Sequence, residues 1–277
     1  MGFKPPKELI ASAAGAGAGK PKQSATATAG LTFLAGAYIA LGGFLAIRCA
    51  NALPANIWGS MGKLIFAAVF PLGLMLVVVC GADLFTGNCL TLTAAWYRSK
   101  ISLGQVVKSL VTSWVGNFVG ALFVAYFMAY ATGIIFEAVK TNGVATMPWA
   151  QSVVALANAK CSFSFSAAFW RAVGCNWLVC LAVYAAMSAE DIGGKILALW
   201  FPTMGFVALG MEHCVANMFF VPLGIFTGLD PRYHGTALQI DWSGFFAHNL
   251  LPVTLGNIVG GALFVGLLYC LIYKEDK

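Results

Sequence analysis

Charge is so sparse along this chain that its gaps outline the fold. No Asp, Glu, Lys or Arg occurs between Lys22 and Arg48, between Lys108 and Glu137, between Arg171 and Glu190, or between Asp241 and Lys274. A helix needs about 20 apolar residues to cross the ~30 Å hydrocarbon layer, so each of these gaps has the length of one span. Two further segments, 64–97 and 196–229, are longer than a span needs, interrupted only by Asp83 in the first and by Glu212 with His213 in the second. One straight helix of that length would reach ~51 Å, far beyond the hydrocarbon. Both interruptions sit mid-segment between glycines (Gly81 and Gly87; Gly205 and Gly210), so each segment is expected to break at membrane depth. Irregular backbone is tolerated there only inside protein or against a cavity. The expected fold is an all-α membrane protein of six spans, with spans 2 and 5 broken.

Composition excludes the alternatives. Only 9% of the 277 residues are charged and 60% are hydrophobic, against roughly 25% charged in a soluble domain. Disorder is excluded by 21 Phe and 8 Trp. The net charge of +6 is scattered, with no basic run, so nucleic acid is not a partner. The eight cysteines form no C-x-x-C pair and no metal-like group with His; they read as small buried hydrophobes. No metal or cofactor is expected, and no cleavable signal peptide precedes the spans. Residues 1–27 read as an N-terminal segment, with a weak apolar face at Leu9, Ile10, Ala13 and Ala14 suited to a short helix on the inner membrane surface. Residues 28–273 form one transmembrane domain and 274–277 a tail.

The two interrupted segments resemble each other. Gly81-Ala-Asp83-Leu-Phe-Thr-Gly-Asn88 and Gly210-Met-Glu212-His-Cys-Val-Ala-Asn217 share G-x-[acid]-x-x-x-x-N, and Phe-Pro precedes each, at Phe70-Pro71 and Phe201-Pro202. Downstream, Gly116-Asn117-Phe-Val-Gly120 recurs as Gly256-Asn257-Ile-Val-Gly260. This is an internal duplication, about 28–132 and 165–273, of three spans each. Three is odd, so the second copy enters from the opposite side, giving a three-plus-three inverted repeat whose breaks meet near the midplane. With the N-terminus inside, ten Lys and Arg face the cytoplasm and six the exterior, which favours both termini inside.

Ionisable groups at membrane depth are functional candidates by default. Asp83 and Glu212 stand beside the breaks, where a carboxylate accepts backbone N–H groups that a broken helix frees, a structural role shared with Asn88 and Asn217. His213 is the only histidine in a central position and faces the expected cavity. Lys160, at the edge of a span, either snorkels to water or presents a fixed charge to a vestibule. Leu84-Phe85-Thr86-Gly87-Asn88 reads as a loop. Phe70, Leu74, Leu84, Phe85, Phe206 and Leu209 are packing or pore lining.

Together the motifs 81–88, Gly210–Pro222 and 251–260 closely resemble the signatures of the formate/nitrite transporter family, with the likeness running from about Ala27 to Tyr273. The resemblance implies an aquaporin-like fold, a homopentamer with one pore per protomer, and a cell inner membrane. It carries functional roles onto matching positions: Leu84, Phe85 and Thr86 on a mobile loop; Phe206 with Leu84 narrowing the cytoplasmic side; Phe70 with Leu74 narrowing the outer side; Lys160, Asn176 and His213 as polar groups between. The substrate is then a small monovalent anion of a weak acid, formate first, with nitrite or hydrosulfide as alternatives, and protons as partners.

An anion entering an apolar pore loses hydration at a cost of order ten kcal/mol unless compensated. Lys160 would concentrate it, and His213 with Thr86 and Asn176 would handle its proton and hydrogen bonds. A neutral-solute, aquaporin-type channel is the nearest rival, but Asn88 is followed by Cys and Asn217 by Met rather than by Pro-Ala. A haem-binding redox subunit lacks paired axial histidines, so the chain is read as a channel and not an enzyme.

Overall fold

The computed structural model describes residues 2–141 and 144–273; the expected tail at 274–277 lies outside the described residues. Ten helices dominate among the described residues: α1 (Pro6–Gly19), α2 (Ala25–Ala50), α3 (Met61–Val79), α4 (Phe85–Tyr97), α5 (Leu103–Tyr130), α6 (Pro148–Cys161), α7 (Phe165–Ala186), α8 (Ile192–Ala208), α9 (Cys214–Gly228) and α10 (Trp242–Ile272). A small antiparallel hairpin, β1 (Val139–Thr141) and β2 (Val144–Thr146), precedes α6. Among the described residues α2, α3, α5, α7 and α10 are long and apolar enough to cross a membrane, and α8 and α9 are apolar but shorter. Four exposed valines on α5, Val107, Val111, Val115 and Val119, recur at helical spacing on one face. Water disfavours such a stripe and hydrocarbon accepts it.

Local chemistry sets the helix ends. The Ser24 Oγ accepts from Ala27 N at 3.2 Å and the Ser164 Oγ from Ala167 N at 3.3 Å, while Ser102 and Gln105 close a reciprocal capping box. Helices α3 and α8 both stop at a glycine in left-handed conformation, Gly81 (φ 80°) and Gly210 (φ 70°), a geometry that disfavours any side chain. The next residue closes each end, Ala82 N to Val77 O at 2.8 Å and Met211 N to Phe206 O at 3.0 Å. Helix resumes at Phe85 and Cys214. Phe85, Thr86, Gly87 and Asn88 are therefore the first turn of α4, and the loop expected over 84–88 shrinks to Gly81–Leu84.

Close packing depends on small residues. A Cβ at Gly120 of α5 would collide with the Phe33 carbonyl of α2, and one at Gly260 of α10 with the Val173 carbonyl of α7. Such residues let helix backbones approach where lipid supplies no hydrophobic drive for association. Helix α1 departs from the expected membrane-surface element: Leu9, Ile10, Ala13 and Ala14 are buried in a protein cluster with Leu90, Ala94, Cys180 and Tyr184. Its weak apolar stripe is complementary to α4 and α7, and Tyr184 donates to Pro6 O at 3.1 Å. All eight cysteines are free; Cys49 and Cys80 are exposed rather than buried, Cys161 is half-buried and the rest are buried.

Candidate functional site

The two helix restarts, α4 and α9, are held by one device used twice. Asn117 of α5 accepts the Phe85 N–H at 2.8 Å and donates to the carbonyls of Thr32 and Asp83. Asn257 of α10 accepts the Cys214 N–H at 2.9 Å and donates to the carbonyls of Ala172 and Glu212. These amides, not Asp83 and Glu212, accept the first freed N–H of each restarted helix. The carboxylates instead look sideways. Asp83 Oδ1 accepts from Lys20 Nζ at 2.9 Å and from Asn88 Nδ2 at 2.6 Å. Glu212 accepts from Lys160 Nζ at 2.9 Å and, on its other oxygen, from Asn217 Nδ2 at 2.7 Å. The spacing from Lys20 to Lys160 repeats that from Asn117 to Asn257, so the duplicated contacts reach upstream to the residue that follows α1 and to α6.

The two breaks differ where it matters chemically. At the first, the residue before the helix is Leu84, which offers no side-chain cap. At the corresponding position of the second stands His213, whose Nδ1 accepts the Ala216 N–H at 3.0 Å. A ring nitrogen that accepts carries no proton, so the imidazole is neutral with its hydrogen on Nε2. Nε2 lies 3.0 Å from Thr86 Oγ1 and donates to it. The Thr86 hydroxyl hydrogen is then free to be given elsewhere. His213 caps α9 and Thr86 lies in the first turn of α4, so two helix N-termini meet here, each a partial positive charge.

Around this pair the walls are aromatic. Phe206 stacks on His213 with ring centres 5.9 Å apart and an interplanar angle of 21°, and meets Phe70 edge-on, also at 5.9 Å. Phe70 in turn lies 6.3 Å from Phe220. Phe70, Leu74, Leu84, Phe85, Phe206 and His213 are all at most 3% exposed. A cavity of about 770 Å3 opens above them, lined by Phe70, Phe206, Phe220, Lys160, Glu212 and His213 among others. Phe206 thus groups with Phe70 in the lining of the cavity that Lys160 also lines, and Leu84, which the resemblance pairs with it, is not among the residues of that lining. The Phe206 carbonyl accepts Met211 N at the end of α8, and its ring stacks on His213 just beyond that end.

Asn176 also departs from expectation. Its amide donates to Thr86 O at 3.2 Å and to Asn257 O at 2.6 Å, behind the first turn of α4 and outside the cavity lining. It holds the backbone that carries the Thr86 hydroxyl. Lys160 neither snorkels nor stands free; its side chain is 12% exposed and ion-paired. Asn249 closes that network, donating to Lys160 O at 2.8 Å and accepting from Asn217 Nδ2 at 2.8 Å.

The pattern of the family described as "Formate/nitrite transporter" matches residues 7–271. The chain belongs to the formate/nitrite transporter family. Members of this family are transport channels, not enzymes. A "Probable formate transporter" of Methanothermobacter thermautotrophicus is 49% identical over 252 residues, covering 89% of this chain and 88% of that one. Among solved structures, an "FNT family ion channel" superposes with a TM-score of 0.82 at 33% identity over 96% of this chain and 98% of that chain. A "Pentameric formate channel with formate bound" gives 0.76 at 31% identity over 90% and 97%. Within this formate/nitrite transporter, the roles of Asn117, Asn257, Asn249 and Lys20 are visible only in the fold. Asn117 and Asn257 were legible as repeated letters, yet only the fold shows which backbone groups they serve.

Proposed function

We propose that the chain forms an inner-membrane channel for a small monovalent anion of a weak acid, formate first, with nitrite or hydrosulfide as alternatives. The observation that carries this reading is the buried His213–Thr86 pair, whose imidazole stacks on Phe206 and lines a cavity that also holds Lys160. Two helix N-termini and the one free hydroxyl hydrogen of Thr86 favour an anion without fixing it there by a full charge. Phe70 and Phe206 exclude water, so a fully charged species faces a desolvation cost of order ten kcal/mol. What passes them is the neutral acid, or an anion hydrogen-bonded through Thr86. His213 acts as a neutral donor: protonating Nδ1 would break the cap on Ala216 and add charge at a helix N-terminus. The proton that accompanies transport therefore rides on the substrate.

The architecture that fits this function is a six-span, aquaporin-like inverted repeat, three plus three, in which α3–α4 and α8–α9 are broken spans whose restarts meet. Support comes from the duplicated Asn117 and Asn257 clamps and the duplicated Lys–acid–Asn triads. A homopentamer with both termini cytoplasmic follows the pentameric relative and the excess of Lys and Arg on the inner connections. The test is flux of formate, nitrite and hydrosulfide into proteoliposomes, side by side at two pH values. Faster formate uptake at the lower pH is expected. Rapid water flux with no anion flux would overturn the reading in favour of a neutral-solute channel.

A further inference from the structure

We infer that Lys63 and Arg171, rather than Lys160, supply the net positive potential that draws an anion into the large cavity. Three cations line it, Lys63, Lys160 and Arg171, and one carboxylate, Glu212. Lys160 and Glu212 face each other at 2.9 Å with both side chains nearly buried, so from the cavity mouth they are a dipole and not a charge. His213, neutral by its hydrogen-bonding pattern, adds none. The remaining two charges are uncompensated: among the described residues no carboxylate pairs with Lys63 or Arg171. Both side chains are exposed to the cavity opening.

Arg171 is held in place without being neutralised. Its Nη1 donates to the Gly210 carbonyl at 2.8 Å, and its guanidinium lies 4.2 Å over the Phe163 ring. A carbonyl and an aromatic face orient a guanidinium while leaving its charge intact. Leu31 occupies the corresponding place beside the first break, where its carbonyl accepts Asp83 N as the Arg171 carbonyl accepts Glu212 N. The charge is thus an asymmetric addition to an otherwise duplicated frame. A cleft lined by one sign of charge concentrates counter-ions and raises on-rates, an effect that salt suppresses.

This inference rests on the cavity being the anion entrance, so its test is one that does not need transport. Ala155 lines the same cavity and is exposed. The variant Ala155→Cys is made with the exposed Cys49 and Cys80 changed to Ser, and modified by an anionic and a cationic thiosulfonate reagent; labelling of the parent without Ala155→Cys is subtracted. The ratio of the two rates cancels accessibility and reads potential. Lys63→Gln and Arg171→Gln are each expected to lower the anionic-to-cationic ratio about threefold to tenfold at ~0.01 M salt, converging with the parent near ~1 M. Arg171→Lys keeps the parental ratio. Unchanged ratios in both Gln variants, or a loss equally large at high salt, would overturn the inference. Should Arg171→Gln fail to fold, Lys63→Gln decides by the same criterion. A parent that shows the ratio effect but carries no formate in proteoliposomes refutes the proposed function and leaves this inference standing.

Discussion

The imidazole of His213 touches Thr86 through Nε2 at 3.0 Å while its Nδ1 caps the helix that it precedes. The two nitrogens thus have separable duties, and substitutions separate them. Asn is a strong N-cap, so His213→Asn keeps the α9 start and loses the bond to Thr86. Its flux is expected to fall at least about tenfold, the value of a lost ~1.4 kcal/mol interaction, with thermal stability within about 1 kcal/mol of the parent. The surviving flux keeps its pH dependence if the proton rides on the substrate. Proteoliposome uptake at two pH values checks this, and a flattened pH profile would return the proton to the histidine.

Asn117 and Asn257 are each fully buried and each serve one N–H and two carbonyls. Asn117→Ala and Asn257→Ala strand those three groups in an apolar surround, at ~1–3 kcal/mol per group. Both variants are expected to lose more stability than Asp83→Asn, which preserves shape. Thermal unfolding in detergent ranks the three, and equal midpoints would show that water replaces the clamp.

The apolar helices and the two helix interruptions are legible in the sequence because charge scarcity and glycine spacing are one-dimensional signals. The partners of the breaks were not. Asp83 and Glu212 sit next in sequence to the freed N–H groups, so local reasoning gave them that work, but each side chain turns to a Lys from another helix. The resemblance pairs Phe206 with Leu84 but does not reveal that its ring also lies against Phe70 and His213. Likewise Asn176 faces two carbonyls behind the site, an orientation set by helix rotation that letters do not carry.

The Lys160–Glu212 pair is a buried ion pair whose value lies in its completeness. Removing one partner leaves an uncompensated charge, at about 3–5 kcal/mol. Lys160→Met is therefore expected to assemble poorly, and Lys160→Met with Glu212→Gln to recover much of the folded yield. Size-exclusion profiles after mild heating report both. No recovery in the double variant would mean that the ammonium matters beyond its pairing.

Outside the spans, Arg232 holds the Asp230 carboxyl well below the usual carboxylate range by direct hydrogen bonding, with Tyr130 adding a bond at 2.8 Å. A depressed carboxylate contributes stability above its unfolded value of about 3.9 and loses it as pH falls through the lower folded value. Because Arg232 is half-exposed, solvent screening keeps the contribution small. Asp230→Asn should melt a few degrees below the parent throughout pH 5–8, the gap closing only below the ordinary carboxylate range. A gap that already closes near pH 6 would implicate another group.

Phe206 has two aromatic neighbours, one polar and one not, and the aperture follows from that. Its ring lies flat on His213 and edge-on to Phe70, so it fills the space between the donor and the opposite wall. Truncation to Ala removes the ring and leaves a gap lined by Phe70 and Phe220 that is wide enough for water and for a longer carboxylate. Phe206→Ala is thus expected to carry acetate and lactate faster relative to formate than the parent does. The cost is about 3–5 kcal/mol of stability, as for other buried aromatics. Phe206→Leu keeps an apolar plug of smaller size and should fall between the two in selectivity. Competitive uptake of labelled formate and lactate measures the ratio directly. If the ratio does not move in Phe206→Ala, the narrowest point lies elsewhere, with Leu74 and Leu84 the next residues to truncate.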